Sequence, residues 1–115
     1  MSKEILSVDQ FESTVMKCWN EDSEFKAVYY FNSAHNSPGA FNQVAEELSP
    51  TIDASFFTVD VAGFRNPEDI GAMRLDLKNI SKMPVIKIFQ KQGCVETLEG
   101  SSAVENLKNG FAQCI

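Results

Sequence analysis

One histidine and three cysteines are all that 115 residues hold of the two side chains most used for metal binding and nucleophilic chemistry. The single imidazole, His35, does not make a zinc site, and no cysteine or carboxylate stands at a matching ligand spacing, so no metal is expected. There is no Gly-x-Ser-x-Gly elbow, which with one histidine removes support for a serine hydrolase. The six glycines form neither a phosphate loop nor a dinucleotide fingerprint. Carboxylates are plentiful, but no spacing singles out an acid/base couple. The residues therefore nominate no catalytic group and no cofactor. Cys18, Cys94 and Cys114 are odd in number and far apart, which is not a disulfide framework. A reducing, cytoplasmic setting is the expectation, with an adventitious intermolecular disulfide open to Cys114.

Long apolar runs are also missing. No segment reaches the roughly 18 consecutive apolar residues that span a bilayer. The opening Met1-Ser2-Lys3-Glu4-Ile5-Leu6 has no signal-peptide core and no glycine at the second position. No membrane association is expected. Nor is there a Lys/Arg-rich run, and the net charge is -6. Such a surface repels a phosphate backbone, so nucleic acid is not expected as a partner.

What is present is globular: 43% hydrophobic and 23% charged residues, with no internal repeat. The length suits one domain, residues 1–115, around one core. Residues 4–8 read as a short edge strand. Asp9 reads as a helix N-cap, with Phe11, Val15, Cys18 and Trp19 at helical spacing and an end near residues 20–22. Residues 25–31, Phe-Lys-Ala-Val-Tyr-Tyr-Phe, are apolar at both parities, as in a central strand covered on both faces. A loop, 32–39, leads to a helix from Ala40 with Phe41, Val44, Ala45 and Leu48 on one face, stopped by Pro50.

A third strand is expected at 55–61, then a turn at Gly63-Phe64-Arg65. Asn66-Pro67-Glu68-Asp69 is a strong helix start, followed by the stripe Ile70, Met73 and Leu77, with Asn79 as a left-handed stop. Residues 84–90 and 94–99 read as a hairpin around Lys91-Gln92-Gly93. A last helix is expected over 103–112, with Val104, Leu107 and Phe111 on one side. The order β-α-β-α-β-α-β-β-α predicts an α/β domain. Its core would be a mixed sheet of four or five strands with helices on both faces.

This order and four local signatures resemble the thioredoxin family over nearly the whole chain. The most telling is Asn79-Ile80-Ser81-Lys82-Met83-Pro84-Val85-Ile86-Lys87-Ile88-Phe89, which is similar to the family's segment around its cis-proline. The others are Val28-Tyr29-Tyr30-Phe31 with the loop ending in Pro38 and the following helix, then Val59-Asp60-Val61 followed by Asn66-Pro67-Glu68, then Gly93 through Gly100. The resemblance implies a thioredoxin-like fold. It also exposes departures. Where the family carries Cys-Gly-Pro-Cys, this sequence reads Asn36-Ser37-Pro38-Gly39. The usual preceding tryptophan corresponds to His35, and the buried acid of the central strand to Tyr30. The connection from Val61 to Ile80 is several residues longer than in typical members.

Dithiol exchange needs a low-pKa thiolate and a second thiol to resolve the mixed disulfide. Asn36 and Gly39 supply neither. Cys18 lies on an apolar helix face and reads as core; Cys94 is remote in sequence. Tyr30 can pack where the acid would sit, provided its hydroxyl finds a partner. His35 is an exposed loop residue or a polar contact for a partner. Ser37 is either a helix cap or a hydroxyl that aids glutathione binding. Phe64, beside Arg65, is a contact hot spot or is tucked onto the helix below. Pro84 is kept for structure, or its neighbourhood is a groove of His35, Ser37, Lys82, Met83 and Pro84. In the family the backbone before this proline pairs with an extended peptide, which requires no cysteine.

Two functions follow from the resemblance. One is a redox-inactive thioredoxin-like module or adaptor that binds a protein or extended peptide in the cis-proline groove. The other is a glutathione-binding or other non-dithiol enzyme on the same scaffold, and a subunit whose only task is assembly would read the same in sequence as the first.

Overall fold

A computed structural model of the chain describes residues 2–16, 24–75, 83–90, 93–100 and 102–114. Its elements run β1 (Ser2–Ile5), α1 (Val8–Phe11), β2 (Phe25–Phe31), α2 (Gly39–Leu48), β3 (Ala54–Asp60), α3 (Pro67–Ala72), β4 (Val85–Gln90), β5 (Gly93–Glu99) and α4 (Leu107–Cys114). The five strands form one mixed sheet in the order β1-β3-β2-β4-β5. β3 runs parallel to both β1 and β2, while β4 is antiparallel to β2 and to β5. Parallel neighbours arise where a helix intervenes, and the antiparallel edge arises from the late hairpin.

The double parity of β2 has the expected cause. Its odd-numbered residues Phe25, Ala27, Tyr29 and Phe31 enter one core with Phe41, Ala45 and Leu48 of α2 and Leu107 of α4. Val28 and Tyr30 enter the other with Phe11, Ile70 and Met73. The central strand is therefore buried on both sides, and helices cover both faces. Val44 is partly buried at the rim of the first core. Phe64 is half-buried and packs on the second, so it is tucked rather than presented.

Helix ends depart from the sequence reading, each for a local reason. Ser7, not Asp9, caps α1, its hydroxyl accepting from the Gln10 N–H at 3.1 Å. Asp9 instead lies in the first turn, where its charge favours the helix dipole. Beyond Phe11 the helix widens into a π-helical stretch, Glu12–Met16. The hydroxyls of Ser13 and Thr14 both donate to the Gln10 carbonyl, at 3.1 and 2.7 Å, and compete for the acceptor an α-helical N–H would use. Val15 is buried as expected; Cys18, Trp19 and the helix end expected at 20–22 lie outside the described residues.

Asn66 caps α3 through a 3.1 Å bond from the Glu68 N–H, with Pro67 at the first helical position. Asn66→Ala is expected to cost about 1 kcal/mol, read as a lower denaturant midpoint at unchanged slope. The helix then stops earlier than the Asn79 expectation. Arg74 takes φ 68°, with Arg74 N–H donating to Gly71 O and Leu75 N–H to Ile70 O. Those two bonds make a Schellman ending with arginine in the place usually held by glycine. Leu77 and Asn79 lie outside the described residues.

β3 begins and ends one residue earlier than expected, because Val61 belongs to a short 3-10 turn, Val61–Gly63. The last helix begins at Leu107, not at 103. Ala103 N–H bonds Gly100 O and Leu107 N–H bonds Val104 O, both three residues back, so the intervening stretch forms turns. These turns still bury Ala103 and Leu107 against the sheet. Farther along α4, a Cβ placed on Gly110 would stand 3.3 Å from Leu98 Cδ1 and 3.4 Å from Ile88 Cδ1. Gly110→Val is expected to overpack that contact and cost about 1–3 kcal/mol, measured by thermal and urea unfolding.

Candidate functional site

The sheet order brings four separate segments to one edge. β2 ends at Phe31, opposite Asp60, the last residue of β3. Tyr30 pairs with Val85, the first residue of β4, and Val85 pairs with Glu99, the last of β5. The loop 32–38, the turn after Asp60, the Met83–Pro84 approach and Gly100 therefore leave the sheet at the same end. In α/β sheets the crevice beyond the carboxyl ends of the parallel strands is where ligands bind.

The loop is built from its own polar groups. The Asn32 carbonyl accepts from the N–H groups of His35 and Asn36, at 2.9 and 2.8 Å. The Asn32 side chain accepts from Ala34 N–H at 2.9 Å. Asp60 ties the loop to β3, its Oδ1 accepting from Ser33 N–H at 3.1 Å and from Ala62 N–H at 3.0 Å. The sequence reading counts Asp60 within the third strand and gives it no part in the loop. A strand-ending aspartate three residues before a glycine is a turn signal that marks it, but its bond to Ser33 is made only in the fold.

His35 and Ser37 are exposed, and Asn36 and Pro38 are half-buried. Ser37 does not cap α2. Pro38 occupies the N-cap position, without a side-chain cap, and its carbonyl accepts from Asn42 N–H at 2.8 Å. Proline there displaces Ser37 by one residue from the place where a hydroxyl reaches the free N–H groups. Beneath the loop, Tyr29 stacks between Phe31 and Phe41, at ring separations of 5.5 and 4.9 Å. Its hydroxyl lies 3.4 Å from the Ser37 carbonyl, longer than an ordinary O–H···O bond. Burial pushes the Tyr29 phenol above its usual range.

Across the edge, the Met83–Pro84 peptide bond is cis. The Pro84 carbonyl accepts from Gly100 N–H at 2.9 Å, with Gly100 at φ 84°, a conformation glycine adopts at little cost. Pro84 is buried and Met83 is half-buried, its side chain against the second core. Among the described residues, nothing hydrogen-bonds the main chain of Met83. Lys82 lies outside the described residues. The structure thus brings His35, Asn36, Ser37, Pro38 and Gly39 to the same end of the sheet as Met83 and Pro84.

One layer below, Tyr30 is fully buried and its hydroxyl donates to the Met73 carbonyl at 2.6 Å. That is the partner its burial requires. Lys87, on the same sheet face, donates through Nζ to the adjacent Arg74 carbonyl. Two sheet side chains thus hold consecutive carbonyls at the end of α3. Among the described residues no group of three His, Cys, Asp or Glu side chains is placed to hold a metal ion, and no helix is long and apolar enough to cross a membrane.

The sequence matches no family model and no curated protein. Solved structures do match its fold. Thioredoxin O2 from Arabidopsis thaliana, in the oxidized state, superposes with a TM-score of 0.74 at 19% identity, covering 97% of this chain and 92% of that one. Schistosoma mansoni thioredoxin gives 0.71 at 22% identity, over 99% and 95% of the two chains. Plasmodium falciparum thioredoxin gives 0.67 at 19%, over 98% and 99%. The chain has the thioredoxin fold: an α/β architecture with a mixed five-stranded sheet between helices.

Proposed function

We propose that this protein is a thioredoxin-fold binding module without dithiol chemistry, which takes an extended peptide segment of a partner along the Met83–Pro84 edge. One juxtaposition carries the reading. At the start of α2, where the resemblance puts the reactive dithiol, stand Asn36 and Gly39. Across the edge, the main chain of Met83 has no hydrogen-bond partner among the described residues. A free backbone donor and acceptor beside a strand end pair with an extended peptide through main-chain bonds, whatever that peptide's redox state. The exposed His35 and Ser37 would form the opposite wall. Tyr30 supports the same reading, since a phenol bound to the Met73 carbonyl is not free to take protons in thiol exchange.

In an insulin-reduction assay with a regenerating reductant and a thioredoxin control, turnover is expected to stay at background. Turnover abolished by replacing Cys18, Cys94 or Cys114 would sink the redox-inactive reading. For the binding half, peptides selected on the protein from a random display library are expected to shift the amide resonances of Met83 and residues 33–37. Selected peptides that perturb only other surfaces would count against the groove. Glutathione at millimolar concentration is expected to leave Ser37 and Met83 unmoved. Saturable shifts there would favour a glutathione-dependent enzyme instead.

A further inference from the structure

We draw no further inference here: the strongest candidate, the surface groove between α2 and the turns leading into α4, has an apolar floor of Val44, Leu48 and Val104, but its rim mixes Glu47 and Glu105 with Lys108 so that charge selects no occupant, and nothing in the structure shows what covers it.

Discussion

Tyr30→Asp, which restores the residue type the resemblance implies at this position, is expected to leave the protein largely unfolded at neutral pH. Tyr30 is fully buried in a core of Val28, Val59, Ile70, Met73, Val85 and Phe89. Truncating so large an aromatic leaves a cavity worth about 3–5 kcal/mol. A carboxylate in that core adds a desolvation cost of several kcal/mol, and the cation on the same face, Lys87, is already engaged with the Arg74 carbonyl. The sum rivals the whole stability of a domain, which is about 5–15 kcal/mol.

The pH dependence of this variant has a definite sign. Burial raises the folded-state pKa of the introduced carboxyl above its unfolded value of about 3.9. The charge penalty is therefore absent below that value and grows as pH rises towards the folded pKa. Urea melts at acid and neutral pH should show the variant closest to its parent in acid. Tyr30→Phe separates the two contributions. It keeps the ring and removes the hydroxyl's bond to Met73, leaving a buried carbonyl unpaired at about 1–3 kcal/mol. A Tyr30→Asp protein as stable as its parent at neutral pH would mean that this face of the core admits water or that Lys87 turns to pair with the carboxylate.

The second large effect is a gain. Asn36→Cys with Gly39→Cys is expected to give disulfide reduction where the parent is expected to stay at background, raising insulin turnover at least about tenfold. Three features favour it. α2 is ten residues long and carries no acid in its first turn, so its N-terminus can stabilise a thiolate. Among the described residues, a Cβ on Gly39 would meet only Ser37 Oγ, at 3.8 Å, an ordinary contact. The loop 32–38 is already held by bonds to Asn32 and Asp60. The rate should nevertheless fall roughly 100-fold or more below a thioredoxin control, because Tyr30 supplies no group to exchange protons with the thiols. The single variant Asn36→Cys should form mixed disulfides without turnover, since no thiol resolves them. A folded double variant that cycles no disulfide would remove the start of α2 as the site of the missing chemistry.

Much of this architecture was legible from residue order. β2 announced itself by apolar residues at both parities, and both cores did form around it. The spacing of Phe41, Ala45 and Leu48 marked the buried face of α2. Asn66-Pro67 marked the start of α3 to the residue. These features are local: each rests on periodicity or on a cap within a few residues of its own backbone. Where two local signals competed, the reading went astray. Ser7 and Asp9 are both good caps, and the bond to Gln10 selects Ser7. Ser37 and Pro38 both suit a helix start, and Pro38 takes the N-cap. Arg74 carries no sign in its side chain that it will adopt φ 68°, since arginine has no preference for that region.

The sequence alone determined which segments become strands and helices, that the central strand is covered on both sides, and that Asn36 and Gly39 carry no thiol. Covalent identity and short-range periodicity are enough for those conclusions. The tertiary structure decided what lies beside what. Tyr30 needed a hydrogen-bond partner, and the fold supplied one 43 residues away at Met73. The loop 32–38, Asp60, Met83–Pro84 and Gly100 share one edge only because the strands assemble in the order β1-β3-β2-β4-β5. That order is a balance of burial over the whole chain, and no local signal in any one of those segments contains it.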